Sequence, residues 1–243
     1  MRLQLCGRFA MLVGDARVEG DLPGRQGRLA LAYLATRRER AVRRDELLEA
    51  IWPDSQPPAA EAALRALVSK LRKVLAPGGV DGRDELRLVL PHGSVIDIEH
   101  ARRAIHRAES AIALRDWAAA WGPSQVTLMT ARRGFMPGED CDWVKEVRAE
   151  LADLNRRALE AYGTSALELG GTELAAAERA GRSLVRLEPY RESGYRLLML
   201  ALARQSNPGQ AILIYEDLRR LLSEELGIAP SETTQRVHFD LLR

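Results

Sequence analysis

Leu187-Glu188-Pro189-Tyr190 leads into Tyr195, Leu197, Leu198, Met199, Ala201 and Leu202. Beyond Ser206-Asn207-Pro208 come Ala211, Ile214, Tyr215, Leu218, Leu221 and Leu222, then Glu224-Glu225-Leu226-Gly227-Ile228-Ala229-Pro230. Apolar side chains return every three or four positions, the spacing that gathers them on one side of a helix, and each run halts at Pro, Gly or Asn. The stretch reads as a string of antiparallel amphipathic helices, an arrangement that builds binding surfaces more often than active sites. Ala177, Ala180, Leu184 and Leu187 echo Ala211, Ile214, Leu218 and Leu221 at an offset of about 34 residues, the period of a tetratricopeptide helix pair. Small residues let a neighbouring helix pack closely, and stacked pairs bury what one pair cannot. An ordinary helical bundle is the alternative.

The whole chain, 243 residues with 46% apolar content, can fill two cores. Its net charge of +2 leaves no basic tail or acidic arm, so any nucleic-acid footprint is a local patch. Cys6 and Cys141 lack the spacing of a zinc site or a disulfide framework and read as reduced, half-buried thiols. Arg8 interrupts the start before a signal-peptide core can form, and no apolar run approaches bilayer length, so a cytoplasmic protein with no membrane partner is expected.

Upstream of the helices the pattern changes. Leu3, Leu5, Phe9, Met11 and Val13 alternate and predict a strand, with a turn at Gly14-Asp15 and a return over Ala16–Glu19. Leu29, Leu31, Ala32, Tyr33 and Leu34 suit a first helix. A second, from about Arg44 to Trp52, buries Leu47, Leu48, Ile51 and Trp52; consecutive prolines at Pro57-Pro58 then forbid a helix. The third, about Ala59 to Leu75, puts Leu64, Leu67, Val68, Leu71, Val74 and Leu75 on one side and Ala62, Ala66, Ser69 and Lys73 on the other, flanked by Arg65, Lys70 and Arg72. Glu85–Leu90 and Val95–Ile98 predict a hairpin turning at Pro91-His92-Gly93-Ser94. Sheet, three helices and a hairpin in that order describe a winged helix-turn-helix. The fold is thus mainly α: residues 1–98 a winged-helix DNA-binding domain with a small sheet and a wing, residues 99–243 an all-α tetratricopeptide-like domain, with the boundary near Asp97.

DNA is a negative rod, and a reading helix must bring cations to phosphates and slim side chains to base edges. The third helix carries both. Arg65, Ser69, Lys70, Arg72 and Lys73 are its candidate contacts, with Arg25 and Arg28 at the first helix, Arg43 and Arg44 at the second, and Arg87 and His92 on the wing. From Arg25 to Arg44 the chain holds Arg25, Arg28, Arg37, Arg38, Arg40, Arg43 and Arg44 against Glu39 alone. Catalytic readings have little to stand on. Gly24–Gly27 lacks the lysine and spacing of a phosphate loop, and His92, His100, His106 and His238 show no metal-ligand pattern. Glu139-Asp140-Cys141-Asp142 precedes a helix, where acidic groups satisfy free amides. An enzyme is not expected, nor a metal or cofactor.

In these features the chain resembles the Streptomyces antibiotic regulatory proteins, in which an OmpR-type winged helix precedes a bacterial transcriptional activator domain. The N-terminal resemblance rests on Phe9, Leu22-Pro23-Gly24-Arg25, Leu31-Ala32-Tyr33-Leu34, Leu47 with Ile51-Trp52-Pro53, and Leu64–Leu67 with Ser69, Leu71-Arg72 and Leu75. The C-terminal resemblance rests on Trp121-Gly122-Pro123, Trp143, Leu198-Met199, Ala211 with Tyr215 and Arg219, and above all Glu224–Pro230. It implies a sequence-specific transcriptional activator that binds tandem direct repeats of double-stranded DNA near promoters, sits there as a dimer, and contacts RNA polymerase holoenzyme including its sigma factor. Three positions depart: Arg43 stands for a capping serine, Ser94 for the aromatic after the wing glycine, and Ser206-Asn207-Pro208 for Gly-Arg between the last repeats. Larger relatives continue into a nucleotide-hydrolysing or sensor domain, and Arg243 can end either a short member or a piece of a longer one. A second reading, an interaction protein whose winged helix holds a protein instead of DNA, is less favoured by the basic third helix.

Overall fold

In the computed structural model, which describes residues 1–243, the alternation at the start of the chain conceals a reversal. The single strand expected over Leu3–Val13 is two: β1 (Arg2–Gln4) and β2 (Ala10–Val13) pair antiparallel, with Leu3 opposite Met11. The turn between them passes through Gly7 at φ +80°, a conformation that a Cβ makes costly. Paired residues share a face of the sheet, so Leu3 and Met11 are both buried and the alternation survives the fold-back. β3 (Ala16–Arg17) returns on β2 as expected.

The three helices form where their apolar spacing predicts: α1 (Gly24–Thr36), α2 (Arg44–Ile51) and α3 (Ala60–Val74). Between the first two lies β4 (Val42–Arg43). The wing is not where the turn residues suggested. β5 (Gly79–Asp81) pairs antiparallel with β6 (Glu85–Val89), and β4 lies on the other edge of β6. The hairpin tip is therefore Gly82-Arg83-Asp84. A Cβ on Gly82 would lie 1.9 Å from the Glu85 carbonyl oxygen, so no other residue fits this turn. β7 (Val95–Ile96) instead joins β1 in parallel, completing a sheet ordered β3-β2-β1-β7. Asp97 opens α4 (Asp97–Ala113), and its carboxylate accepts the amides of Leu5 (3.0 Å), Cys6 (2.8 Å) and Ile98 (2.8 Å). Burial pushes this carboxyl up while the three amides pull it down. The backbone needs of β1 thus claim a stretch that periodicity alone assigned to a wing strand.

The backbone divides into two compact units, but not at one cut near residue 98. The first comprises Met1–His100 with Arg133–Leu151, the second Ala101–Arg132 with Ala152–Arg243. In the first unit Gly7 N–H donates to the Gly134 carbonyl (2.7 Å) and Met136 N–H to that of Leu5 (2.9 Å), seating fully buried Phe135. Trp143 meets Tyr33 edge-on at 5.1 Å between ring centroids and Phe135 at 5.9 Å, and its indole N–H donates to the Ala50 carbonyl at 3.1 Å. Trp143, which falls within the stretch 99–243 read as the helical domain, therefore packs against α1 and α2. Cys6 and Cys141 are both buried, where half-burial was expected.

The second unit is helical as predicted: most of α4, α5 (Trp117–Ala131), the rest of α6 (Asp142–Leu169), α7 (Leu174–Leu187), α8 (Glu192–Arg204), α9 (Pro208–Leu226) and α10 (Glu232–Leu241). Asp116 caps α5 by accepting the Ala119 amide (3.0 Å). α7 and α8 approach closely at Gly181, where a Cβ would sit 2.9 Å from the Leu198 backbone nitrogen. Of the repeated positions, Ala177, Ala180, Leu184, Ala211 and Leu218 are buried, whereas Leu187 is 52% exposed. α10 returns through a stacked pair, the Tyr215 and His238 rings 3.9 Å apart. No helix is long and apolar enough to cross a membrane.

Candidate nucleic-acid interface

α3 forms because Leu64, Leu67, Val68 and Leu71 share one face and bury it, which leaves Ala62, Arg65, Ala66, Ser69, Lys70 and Lys73 outward. Arg65 bonds only a backbone carbonyl of its own helix, that of Glu61 (3.3 Å), and no carboxylate pairs with Arg65, Lys70 or Lys73. Their charge is therefore available to an external anion. The alanines and Ser69 keep the middle of the face low, so a flat edge can approach the backbone.

The wing is held beside this helix by two arginines named above as candidate contacts. Arg44 lays Nε and Nη2 on Glu61 Oε2 (3.0 and 2.9 Å) and Nη1 on the Arg83 carbonyl (3.2 Å). Arg72 donates to the carbonyls of Val80 (2.6 Å) and Gly82 (2.5 Å). Both guanidinium groups are occupied in positioning β5 and the hairpin tip against α3. The result is a groove of about 720 Å³ lined by Arg44, Arg65, Arg72 and Arg83 with Glu61 and Asp84. Exposed Arg83 is its cation at the tip, and sequence reasoning missed it. The signal was present: Gly82-Arg83-Asp84 between two apolar alternations is as good a turn as Pro91–Ser94.

The arginine excess before α2 is mostly paired with carboxylates of the same chain. Arg25 pairs with Glu139 (2.7 Å), Arg38 with Glu99 (2.9 Å), Arg43 with Asp45 (2.5 Å), and Arg40 with Glu46. Arg37 stacks over the Tyr33 ring at 3.9 Å and lies 3.7 Å from Glu46. The Glu46 carboxyl is lowered to about 2, chiefly by the Arg40 bond, with the Tyr33 hydroxyl (2.6 Å) assisting; burial and Glu46 push Tyr33 up to about 12. Arg28 stays exposed without an acidic bond. Arg87 lies on β6, a strand of the wing hairpin, and donates to the carbonyls of Arg38 and Glu39 (3.4 and 2.7 Å); His92, expected on the wing, lies in the β6–β7 turn. Arg65, Ser69, Lys70 and Lys73 thus share the outward face of α3 beside Arg83 at the hairpin tip, while Arg87 sits on β6 opposite Asp81, and Arg25, Arg43 and His92 lie on other elements.

A winged helix-turn-helix with an outward cationic third helix, joined to paired amphipathic helices, defines a class of transcriptional regulator. The sequence matches the family "Transcriptional regulatory protein, C terminal" over residues 21–89 and the "Bacterial transcriptional activator domain" over residues 96–242. The chain belongs to the Streptomyces antibiotic regulatory protein family. It is 31% identical over 220 residues to regulatory protein AfsR of Streptomyces coelicolor, an alignment covering 90% of this chain and 22% of that protein. It is 26% identical over 230 residues to transcriptional regulatory protein MoaR1 of Mycobacterium tuberculosis, covering 89% of this chain and 71% of the relative. The structure of Mycobacterium tuberculosis EmbR in complex with a low-affinity phosphopeptide superposes with a TM-score of 0.83 at 24% identity, over 100% of this chain and 65% of that one; it shares the fold. The chain thus spans about a fifth of the length of AfsR.

Proposed function

We propose that the chain activates transcription by binding tandem direct repeats of double-stranded DNA as a dimer and contacting RNA polymerase holoenzyme, sigma factor included. In this reading residues 1–98 carry the DNA-binding surface, with Arg133–Leu151 completing its core, and the helices within 99–243 carry the activating contacts. The observation that supports it most is the unpaired cationic face of α3 beside a wing whose backbone is pinned by Arg44 and Arg72. Arg65 and Lys70 read bases or hold phosphates, Ser69 lies between them, and Lys73, Arg28 and Arg83 contact backbone phosphates. Arg44 and Arg72 act through the wing; Arg25 and Arg43 reach phosphates only by releasing their carboxylates. Net charge of only +2 makes the focused patch, not the whole molecule, the source of affinity. The test is a gel shift of the chain against the promoter beside its own gene and against random duplex, at several salt concentrations; equal affinity for both removes the sequence-specific reading.

A further inference from the structure

In the second unit, α5, α6 and α7 each turn one face toward a cavity of about 760 Å³. α7 contributes Arg179, Arg182 and Arg186, three and then four residues apart and so on one face, and Arg132 follows the end of α5. No acidic side chain lines the cavity. Arg182 is held by Glu178 from outside (2.9 Å), Arg186 bonds only the Ser183 hydroxyl (3.3 Å), and Arg132 and Arg179 pair with no carboxylate. Between the cations lie apolar groups: Tyr162 and Leu159 of α6, with Met129 63% and Leu187 52% exposed at the rim. Asn155, also lining the cavity, has a buried carboxamide oxygen that receives no hydrogen bond.

We infer that this groove docks an acidic peptide segment of a partner protein, one that interleaves Asp or Glu with bulky apolar residues. Carboxylates match the four guanidinium groups, which present forks suited to them. Apolar side chains cover Met129 and Leu187, whose exposure water penalises. Duplex DNA meets the first demand only, since its phosphodiester backbone offers nothing apolar to cover Met129 and Leu187. A small inorganic anion leaves the apolar rim bare. The inference is independent of the DNA reading, because none of these residues belongs to the α3 face or the wing.

The test is fluorescence anisotropy of the full chain with a short fluorescein-labelled peptide alternating Glu and Leu, beside an isosteric Gln–Leu peptide, a polyglutamate and a labelled duplex. The Glu–Leu peptide is expected to bind and to weaken with salt, with the Gln–Leu peptide and polyglutamate each about tenfold weaker or more. Arg179→Glu with Arg186→Glu should cost at least about tenfold. The two arginines are exposed, so that variant keeps its helical circular dichroism and its affinity for duplex DNA. Absence of Glu–Leu peptide binding, equal binding of the Gln–Leu peptide or polyglutamate, or indifference to the double variant overturns the proposal. So does loss of duplex binding in the double variant, which assigns the groove to nucleic acid, or a chain dimer that the double variant dissolves, which assigns it to a second copy.

Discussion

Arg65 and Lys70 stand on α3 with no carboxylate paired to them, so removing either takes a charge from the ligand and breaks no ion pair of the fold. Arg65→Ala and Lys70→Ala are each expected to weaken specific binding by about 1–3 kcal/mol where the side chain touches a base. Lys73→Ala and Arg83→Ala should weaken all duplexes alike and reduce the salt slope by about 1. Titration against operator and random duplex at several salt concentrations separates the two behaviours, and unchanged affinity across all four variants would remove α3 and the wing as the interface. Glu46 shows the other fate of a charged residue. Its carboxyl lies at about 2 in the folded chain against 4.5 ordinarily, so the folded state favours the anion. The stability this supplies is present above about pH 4.5 and is lost as pH falls toward 2. Glu46→Gln should therefore unfold more readily than the parent near neutral pH, with the gap closing in acid, as followed by urea denaturation across that range.

At the scale of elements, α6 begins in one unit and ends in the other, and its first turn supplies the aromatic that closes the core against α1 and α2. Trp143→Ala removes two ring contacts and the bond to the Ala50 carbonyl, and should cost about 3–5 kcal/mol in urea unfolding. A fragment of residues 1–98 lacks Phe135 and Trp143 altogether. It is expected to unfold at lower temperature than the same unit within the full chain, which thermal melts can compare. Gly181 marks the opposite constraint, since even one methyl there meets the backbone of α8. Gly181→Ala should cost about 1–3 kcal/mol by forcing α7 and α8 apart, although alanine is the better helix former.

At the scale of the whole molecule, head-to-tail binding on direct repeats sets a spacing. Two copies on one face of the duplex need repeat centres about one helical turn, roughly 10.5 bp, apart. Inserting half a turn should abolish cooperative binding in a gel shift, and a footprint on a single inverted repeat would exclude the tandem arrangement.

By itself the sequence determined the elements whose information is local. The apolar period of Leu64–Leu71 and of Tyr195–Leu222, and the breaks at Pro57-Pro58 and Gly227, specify helices within their own neighbourhoods, and with them the outward face of α3. What it left open were pairings between distant residues. Two strand patterns, 85–90 and 95–98, each fit a hairpin, and only the tertiary structure decided that β6 joins β5 while β7 joins β1. The arginines of 25–44 looked like a basic surface because their acids, Asp45, Glu46, Glu61, Glu99 and Glu139, lie outside the window. Whether a charge faces solvent or a carboxylate is set by folding, since an ion pair joins residues by distance in space and leaves no period along the chain. For the same reason Trp143 could be recognised as a core residue from its type, but the core to which it belongs could not.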